Sequence, residues 1–150
     1  MDPYTYRQLT ALDVEELKEL LEVFGVAFGE VQRHLTYIPD ESHVRSLLAR
    51  PHIIVLVAEH KGHVVGGLVA YELEKFENKA SEIYIYDLAV AKEHRRRGIA
   101  TRLIEEIRAI GRERGARGIF VQAERGDRAA IKLYELFGKS GEPFHFDIGL

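Results

Sequence analysis

Apolar positions recur along the chain at two spacings, and the switches between them mark out its elements. Alternation from Tyr4 to Leu9 predicts a first strand. Leu17, Leu20, Leu21, Phe24 and Phe28 then share one helical face, with Thr10 or Asp13 available as a cap and Glu16 spaced from Asp13 as in a capping box. Glu30 to Asp40 reads as a surface loop. Long loops often line sites, so Glu30 and Tyr37 are candidate substrate contacts, with ordinary surface as the alternative. Asp40 can cap a short helix that runs through Leu48 and is stopped by Pro51. Ile53 to Glu59 and Val64 to Tyr71 are predicted strands joined by a tight turn at Lys61-Gly62, and Gly66-Gly67 predicts a bulge or close backbone packing.

After a charged connection from Glu72 to Ala80, Ser81 to Val90 is the strongest strand. Regular alternation would place Glu82, Tyr84 and Tyr86 on one face and Ile83, Ile85 and Asp87 on the other. An aspartate on that apolar face costs several kcal/mol unless it is paired or faces a cleft. Asp87 is therefore either a site residue or a salt-bridged residue at a strand end. A helix from Gly98 turns Ala100, Leu103, Ile104, Ile107 and Ile110 inward and ends at Gly115. Gly118 to Ala123 follows as a strand. Asp127 caps a helix bearing Ala130, Ile131, Tyr134 and Phe137, and Pro143 to Ile148 supplies a last strand. Two strand-to-helix units in succession point to an α/β fold, with a partly parallel sheet and helices on both faces.

Length and composition narrow the class. A chain of 150 residues, 46% hydrophobic and 30% charged, is expected to form one domain with its own core. The N-terminus has no basic-then-apolar leader and no apolar run approaches spanning length, which leads us to expect a cytoplasmic protein without a membrane partner. Zero cysteines exclude disulfides, thiolate metal sites and a cysteine nucleophile. Only His60 and His63 lie close together, flanking the hairpin turn, so no metal is expected. The formal charge of −3 divides into +5 over residues 91–117 and −8 elsewhere. That division suits an anionic cofactor and a cationic substrate better than a nucleic acid.

The basic part has a defined spacing. Arg95, Gly98 and Ala100 read R-x-x-G-x-A between strand and helix, which would gather unpaired N–H groups at the positive end of a helix dipole. The run H-R-R-R is either such an anion cradle or a solvated basic loop.

These residues also carry a family likeness. Y-D-L-A-V followed by R-R-R-G-I-A resembles the acetyl-coenzyme A motif of the GNAT superfamily of N-acetyltransferases. More narrowly, S-E-I-Y-I-Y-D-L-A-V with E-H-R-R, F-V-Q-A and H-F-D-I resembles the type I aminoglycoside 3-N-acetyltransferases, over about Leu20 to Asp147. The resemblance implies a GNAT fold with a central, mixed, twisted sheet of six to seven strands and helices on both faces. It also implies acetyl-CoA as cosubstrate, a homodimer, and a bulge at Asp87 to Ala89 that turns the carboxylate into a cleft.

Acetyl transfer to an amine needs an anchored thioester, a base, oxyanion donors and a proton for the leaving thiolate. Arg95, Arg96, Arg97, Gly98, Ile99, Ala100 and Thr101 are the expected pyrophosphate site. The main chain of Leu88, Ala89 and Val90 is expected to pair with the pantetheine arm and to donate to the oxyanion. Asp87 is the candidate base, Glu82 its reserve, and Tyr86 a brace. Tyr134 resembles the superfamily tyrosine near the cofactor sulfur and would be the general acid, the alternative being a core aromatic. A polycationic substrate needs several anions, for which Asp87, Glu124, Asp127 and Asp147 are candidates, with Tyr84 beside them. Arg125 and Arg128 depart from the family pattern, so another amine, such as a polyamine or a protein lysine, stays open. So does a coenzyme A sensing module without catalysis.

Overall fold

The structure, a computed structural model, describes residues 1–32 and 39–150. The elements in chain order are β1 (Thr5–Gln8), α1 (Val14–Ala27), α2 (Glu41–Leu48), β2 (Ile53–His60), β3 (His63–Glu74), β4 (Ser81–Val90), a single 3-10 turn (Lys92–His94), α3 (Ile99–Arg114), β5 (Ile119–Val121) and α4 (Arg128–Glu135). Among the described residues the strands form one mixed sheet in sequence order. β1 to β4 are antiparallel neighbours, and β5 joins β4 in parallel.

The alternation of β2 shows how the two layers arise. Ile54, Leu56 and Ala58 enter one apolar cluster with Ile99, Leu103 and Ile107 of α3. Val55 and Val57 enter the other, with Leu17, Leu20 and Phe24 of α1 and Val44 and Leu48 of α2. The predicted stripe of α1 is thus core, except that Phe28 is half-exposed and stacks on Phe24 at 5.6 Å.

Local signals set most boundaries. Lys61 and Gly62 both take positive φ, 51° and 82°, which is the tight hairpin turn expected there. Gly67 is required by packing, since a Cβ would lie 2.5 Å from Leu20 Cδ1 and 2.6 Å from the Leu56 carbonyl. Asp40 caps α2 by accepting from the His43 N–H at 2.8 Å. Asp13 behaves differently from its expected capping box. Its carboxylate turns back to the Thr10 N–H at 2.6 Å and to Arg7 at 3.0 Å, while Glu16 also faces Arg7 at 3.5 Å.

The C-terminal part departs most from expectation. The described sheet has five strands rather than six to seven, and the strand expected over Pro143 to Ile148 is not formed: none of the described strands pairs with that segment. α4 forms where expected, yet none of its residues is buried.

Candidate active site

The centre of the site is a one-residue irregularity in β4. Ala70 faces Ile85 and Val69 faces Asp87, so Tyr86 is the extra residue of a bulge. The bulge expected over Asp87 to Ala89 is thus found one position earlier, and it changes the face on which Asp87 lies. Ile85 remains on the α3 face with Ala70, whereas Asp87, opposite Val69, moves to the α1 face. The misplaced aspartate of the regular pattern is thereby turned off the α3 core and is half-buried.

Around Asp87 the face is aromatic. Tyr86 stands edge-on to Tyr71 at 5.8 Å and to Tyr84 at 5.7 Å between ring centres. Tyr84 stacks on Phe120 of β5 at 4.7 Å and donates to Gln122 Oε1 at 3.1 Å. Burial raises the Tyr71 phenol above its ordinary pKa, and the neighbouring Asp87 charge adds to the rise. Tyr71 is thus a member of this group that alternation alone did not single out; only the β3–β4 register reveals it.

The same bulge opens the sheet. β4 pairs with β5 only from Ile83 to Ile85, opposite Ile119 to Val121. From Tyr86 to Val90 the β5 side of β4 has no strand neighbour among the described residues, while its β3 side stays paired to Val90. Alternate N–H groups of this segment, those of Leu88 and Val90 among them, therefore face the cleft left where β5 ends.

At the end of that cleft lies the basic loop. Arg96 and Gly98 adopt left-handed φ of 61° and 80°, and Gly98 begins α3 without any side-chain cap. The Arg102 N–H reaches the Gly98 carbonyl at 3.0 Å, so Ile99, Ala100 and Thr101 have N–H groups without helical partners. Alternating backbone handedness followed by an uncapped sixteen-residue helix makes a concave set of donors suited to a phosphate. Arg95 fixes the loop to the strand by donating to the Val90 carbonyl at 2.9 Å. The Arg97 guanidinium reaches the Tyr4 hydroxyl at 3.4 Å, and that hydroxyl lies 3.0 Å from His94 Nδ1. This tie from the N-terminal strand to the loop was not evident from the sequence, because its members are some ninety positions apart.

Other sequence candidates fall elsewhere. Glu82 sits at the opposite end of β4, paired with Lys75 at 3.2 Å. Asp127 is the cap of α4, accepting from the Ala130 N–H at 3.0 Å, and Glu124 is exposed in the preceding turn. Asp147 is fully exposed beside His145. Glu30 is exposed just after α1, and Tyr37 lies outside the described residues. Tyr134 is half-buried on α4; burial raises its phenol above the ordinary value, with Asp127 adding to the effect, so it holds its proton at neutral pH. Among the described residues no group of three His, Cys, Asp or Glu is placed to hold a metal, and no helix is long and apolar enough to cross a membrane.

An interrupted strand edge beside an uncapped helix start joins a bulge and an anion-binding loop in one place. The sequence matches the acetyltransferase (GNAT) family over residues 16–138, and the chain belongs to that family. Its fold is the GNAT fold, and it is an acetyltransferase. Among solved structures it is similar to the aminoglycoside acetyltransferase HMB0005 from an uncultured soil metagenomic sample, with 47% identity and a TM-score of 0.96 over 100% of this chain and 99% of that one. It is also similar to the aminoglycoside acetyltransferase meta-AAC0020, likewise from an uncultured soil metagenomic sample and solved with sisomicin, at 29% identity and a TM-score of 0.90 over 99% and 97% of the two chains. Among curated proteins it is 29% identical to the N-alpha-acetyltransferase daf-31 of Caenorhabditis elegans over 59% of this chain. The match spans 48% of that relative, so this chain corresponds to about half of its length.

Proposed function

We propose that this chain transfers an acetyl group from acetyl-coenzyme A to the 3-amino group of an aminoglycoside, in the cytoplasm and as a homodimer, thereby inactivating the antibiotic. The observation that carries the reading is the Tyr86 bulge, which turns Asp87 toward an open aromatic face while freeing the adjoining edge of β4. The full-length similarity to soil aminoglycoside acetyltransferases supports the substrate class.

The cradle fits a pyrophosphate on the strength of its left-handed Arg96 and Gly98 and its uncapped helix start. Arg95 to Thr101 would hold it, and acetyl-coenzyme A would supply the acetyl thioester. Leu88 to Val90 align the arm through their open main-chain edge, as an added strand is aligned. One N–H of that edge stabilises the developing oxyanion. An ammonium group cannot attack a carbonyl, so Asp87 holds the substrate amine and takes its proton, directly or through water. Tyr71, Tyr84 and Tyr86 present flat apolar surface to the sugar rings. Tyr134, protonated at neutral pH, gives a proton to the departing thiolate.

A second reading, acetylation of a different amine, is favoured by one observation. Glu82 and Asp127 are engaged by Lys75 and by the α4 backbone, which leaves fewer carboxylates for a polycation. The deciding experiment measures thiol release from acetyl-coenzyme A with gentamicin, kanamycin, spermidine and a lysine peptide offered in parallel. Turnover on the antibiotics, with the acetyl group located on the 3-amino nitrogen by NMR, is the expected result. Turnover on spermidine or the peptide alone would overturn the substrate, and cofactor binding without turnover on any amine would overturn the enzyme reading in favour of a sensing module.

A further inference from the structure

Beside the basic loop stands a cluster of three rings that the reaction does not use. Tyr4 is buried, and His60 and His94 are half-buried against it. The Tyr4 ring centre lies 5.2 Å from that of His60 and 5.7 Å from that of His94, and the two imidazoles are 5.3 Å apart. The residue before β1, the end of β2 and the turn Lys92–His94 meet there. Of the run His94 to Gly98, only His94 is not exposed.

The hydrogen bonds fix where the protons lie. A guanidinium has only donors, so Arg97 donates to the Tyr4 oxygen, at 3.4 Å. The Tyr4 hydroxyl is then left to donate to His94 Nδ1 at 3.0 Å, which requires that nitrogen to be unprotonated. His60 differs, because its Nδ1 lies 3.3 Å from the Pro3 carbonyl and can donate to it in either charge state. The chain from Arg97 through Tyr4 to His94 therefore holds only while His94 is neutral. A proton on His94 Nδ1 sets two donors against each other, and turning the hydroxyl aside leaves its oxygen between two cations.

The surrounding charges do not compensate. Lys92, Glu93, Arg95 and Arg96 of the same segment are exposed, and Arg95 is turned to the Val90 carbonyl. Ahead of β1, Asp2 accepts from the Tyr4 N–H at 3.0 Å; on α3, Arg102 lies over Tyr6 and pairs with Glu106 at 2.7 Å. The histidines with carboxylate partners among the described residues are His63 and His145. What the chain holds, moreover, is strained. Arg96 has a left-handed φ of 61°, which a residue with a side chain keeps only when its neighbours impose it. Arg95 is anchored on Val90 and Arg97 on Tyr4, one on each side. Loss of the second anchor lets Arg96 return to ordinary backbone, and the concave donor set of the cradle goes with it.

We propose that His94 is a positioning residue for the cofactor loop: neutral, it holds Arg97 through the Tyr4 hydroxyl, and protonated it releases it, so that the cradle binds pyrophosphate more weakly in acid. This role rests on Arg95 to Thr101 being the pyrophosphate site, as proposed above.

Calorimetric titration with dephospho-coenzyme A tests it. That probe keeps the pyrophosphate, which stays ionised throughout, and lacks the 3′-phosphate, which titrates in the same range as histidine. Wild-type binding should weaken about fivefold between about pH 8 and pH 5.5, where histidine takes up its proton, with circular dichroism confirming that the fold persists. In His94→Asn, Oδ1 stands in the place of Nδ1 and accepts from Tyr4 but takes up no proton. Its binding should lie within about twofold of wild type at pH 8 and stay level in acid. A wild-type affinity that is level, or that rises in acid as plain attraction between imidazolium and phosphate would make it, overturns the proposal. So does an acid loss that survives in His94→Asn, which places the titrating group elsewhere. Failure of the wild type to bind the probe at pH 8 would overturn the pyrophosphate reading itself, and this inference with it.

Discussion

At the scale of single residues, chemistry and support can be separated. Asp87→Asn keeps the size and much of the hydrogen bonding of the side chain but removes the base. Turnover is expected to fall by about 100-fold or more, while acetyl-coenzyme A binding, followed by calorimetry, stays within about twofold because the cradle is a different segment. Loss of binding together with turnover would sink the assignment of Asp87 as base. Tyr4 plays a supporting part, its hydroxyl joining His94 and Arg97 from a buried position on the far side of the loop. Tyr4→Phe removes that tie without creating a cavity. The KM for acetyl-coenzyme A should rise several-fold, corresponding to about 1 kcal/mol, with kcat unchanged. A change in kcat alone would show that Tyr4 acts on the reaction rather than on the loop.

At the scale of elements, two glycines test different constraints. Gly98 has open space where a Cβ would be, so its requirement is conformational, set by φ of 80° at the start of α3. Gly98→Ala should cost about 1–2 kcal/mol in local backbone energy, and the helix start would relieve the strain by leaving the cradle geometry. The measurable result is weaker acetyl-coenzyme A binding with little loss of thermal stability. Gly67 is the opposite case, a residue in ordinary strand conformation pressed against Leu20 and the Leu56 carbonyl. Gly67→Ala forces α1 away from the sheet and should cost about 1–3 kcal/mol of global stability, read by denaturant unfolding. The β4 bulge shows the same economy of means, since one inserted residue both re-aims Asp87 and parts β4 from β5.

For the whole molecule, ionic ties join elements distant in sequence. Glu72 of β3 accepts from Ser81 at 2.7 Å and pairs with Arg114, at the end of α3, at 2.7 Å. Burial alone would raise its carboxyl, but the bonds from Ser81 and Arg114 outweigh it and hold the group below its ordinary 4.5. Asp13 is likewise held below 3.8, its burial outweighed by Thr10 and Arg7. Both groups have depressed folded-state values, so the stability they contribute is present above the unfolded pKa and is lost as pH falls through the folded one. Stability should therefore be level near neutrality and decline below about pH 4.5. In Arg114→Gln the neutral-pH stability should drop by about 1 kcal/mol, and the acid-side decline should become shallower. An unaltered pH profile in that variant would show that the Glu72 pair contributes nothing.

Local and near-local information determined much of this protein from the sequence alone. Apolar periodicity marked the helices and the long strands, Lys61-Gly62 announced its tight turn, and Gly98 announced the start of a helix, because each depends on residues a few positions apart. Asp87 stood out for the same reason, as a charge in an apolar run. Tertiary structure decided what depends on register and on company. The pairing of β3 with β4 placed the bulge at Tyr86 and brought Tyr71 to Asp87, and the long-range contact of Tyr4 with His94 braced the loop. Glu82 and Asp127, carboxylates that by sequence could serve a cation, were taken by Lys75 and by the α4 backbone. The strand pattern over Pro143 to Ile148 is the sharpest case: alternation states which residues would share a face, but a strand exists only where another edge accepts its hydrogen bonds, and among the described residues none pairs with this segment.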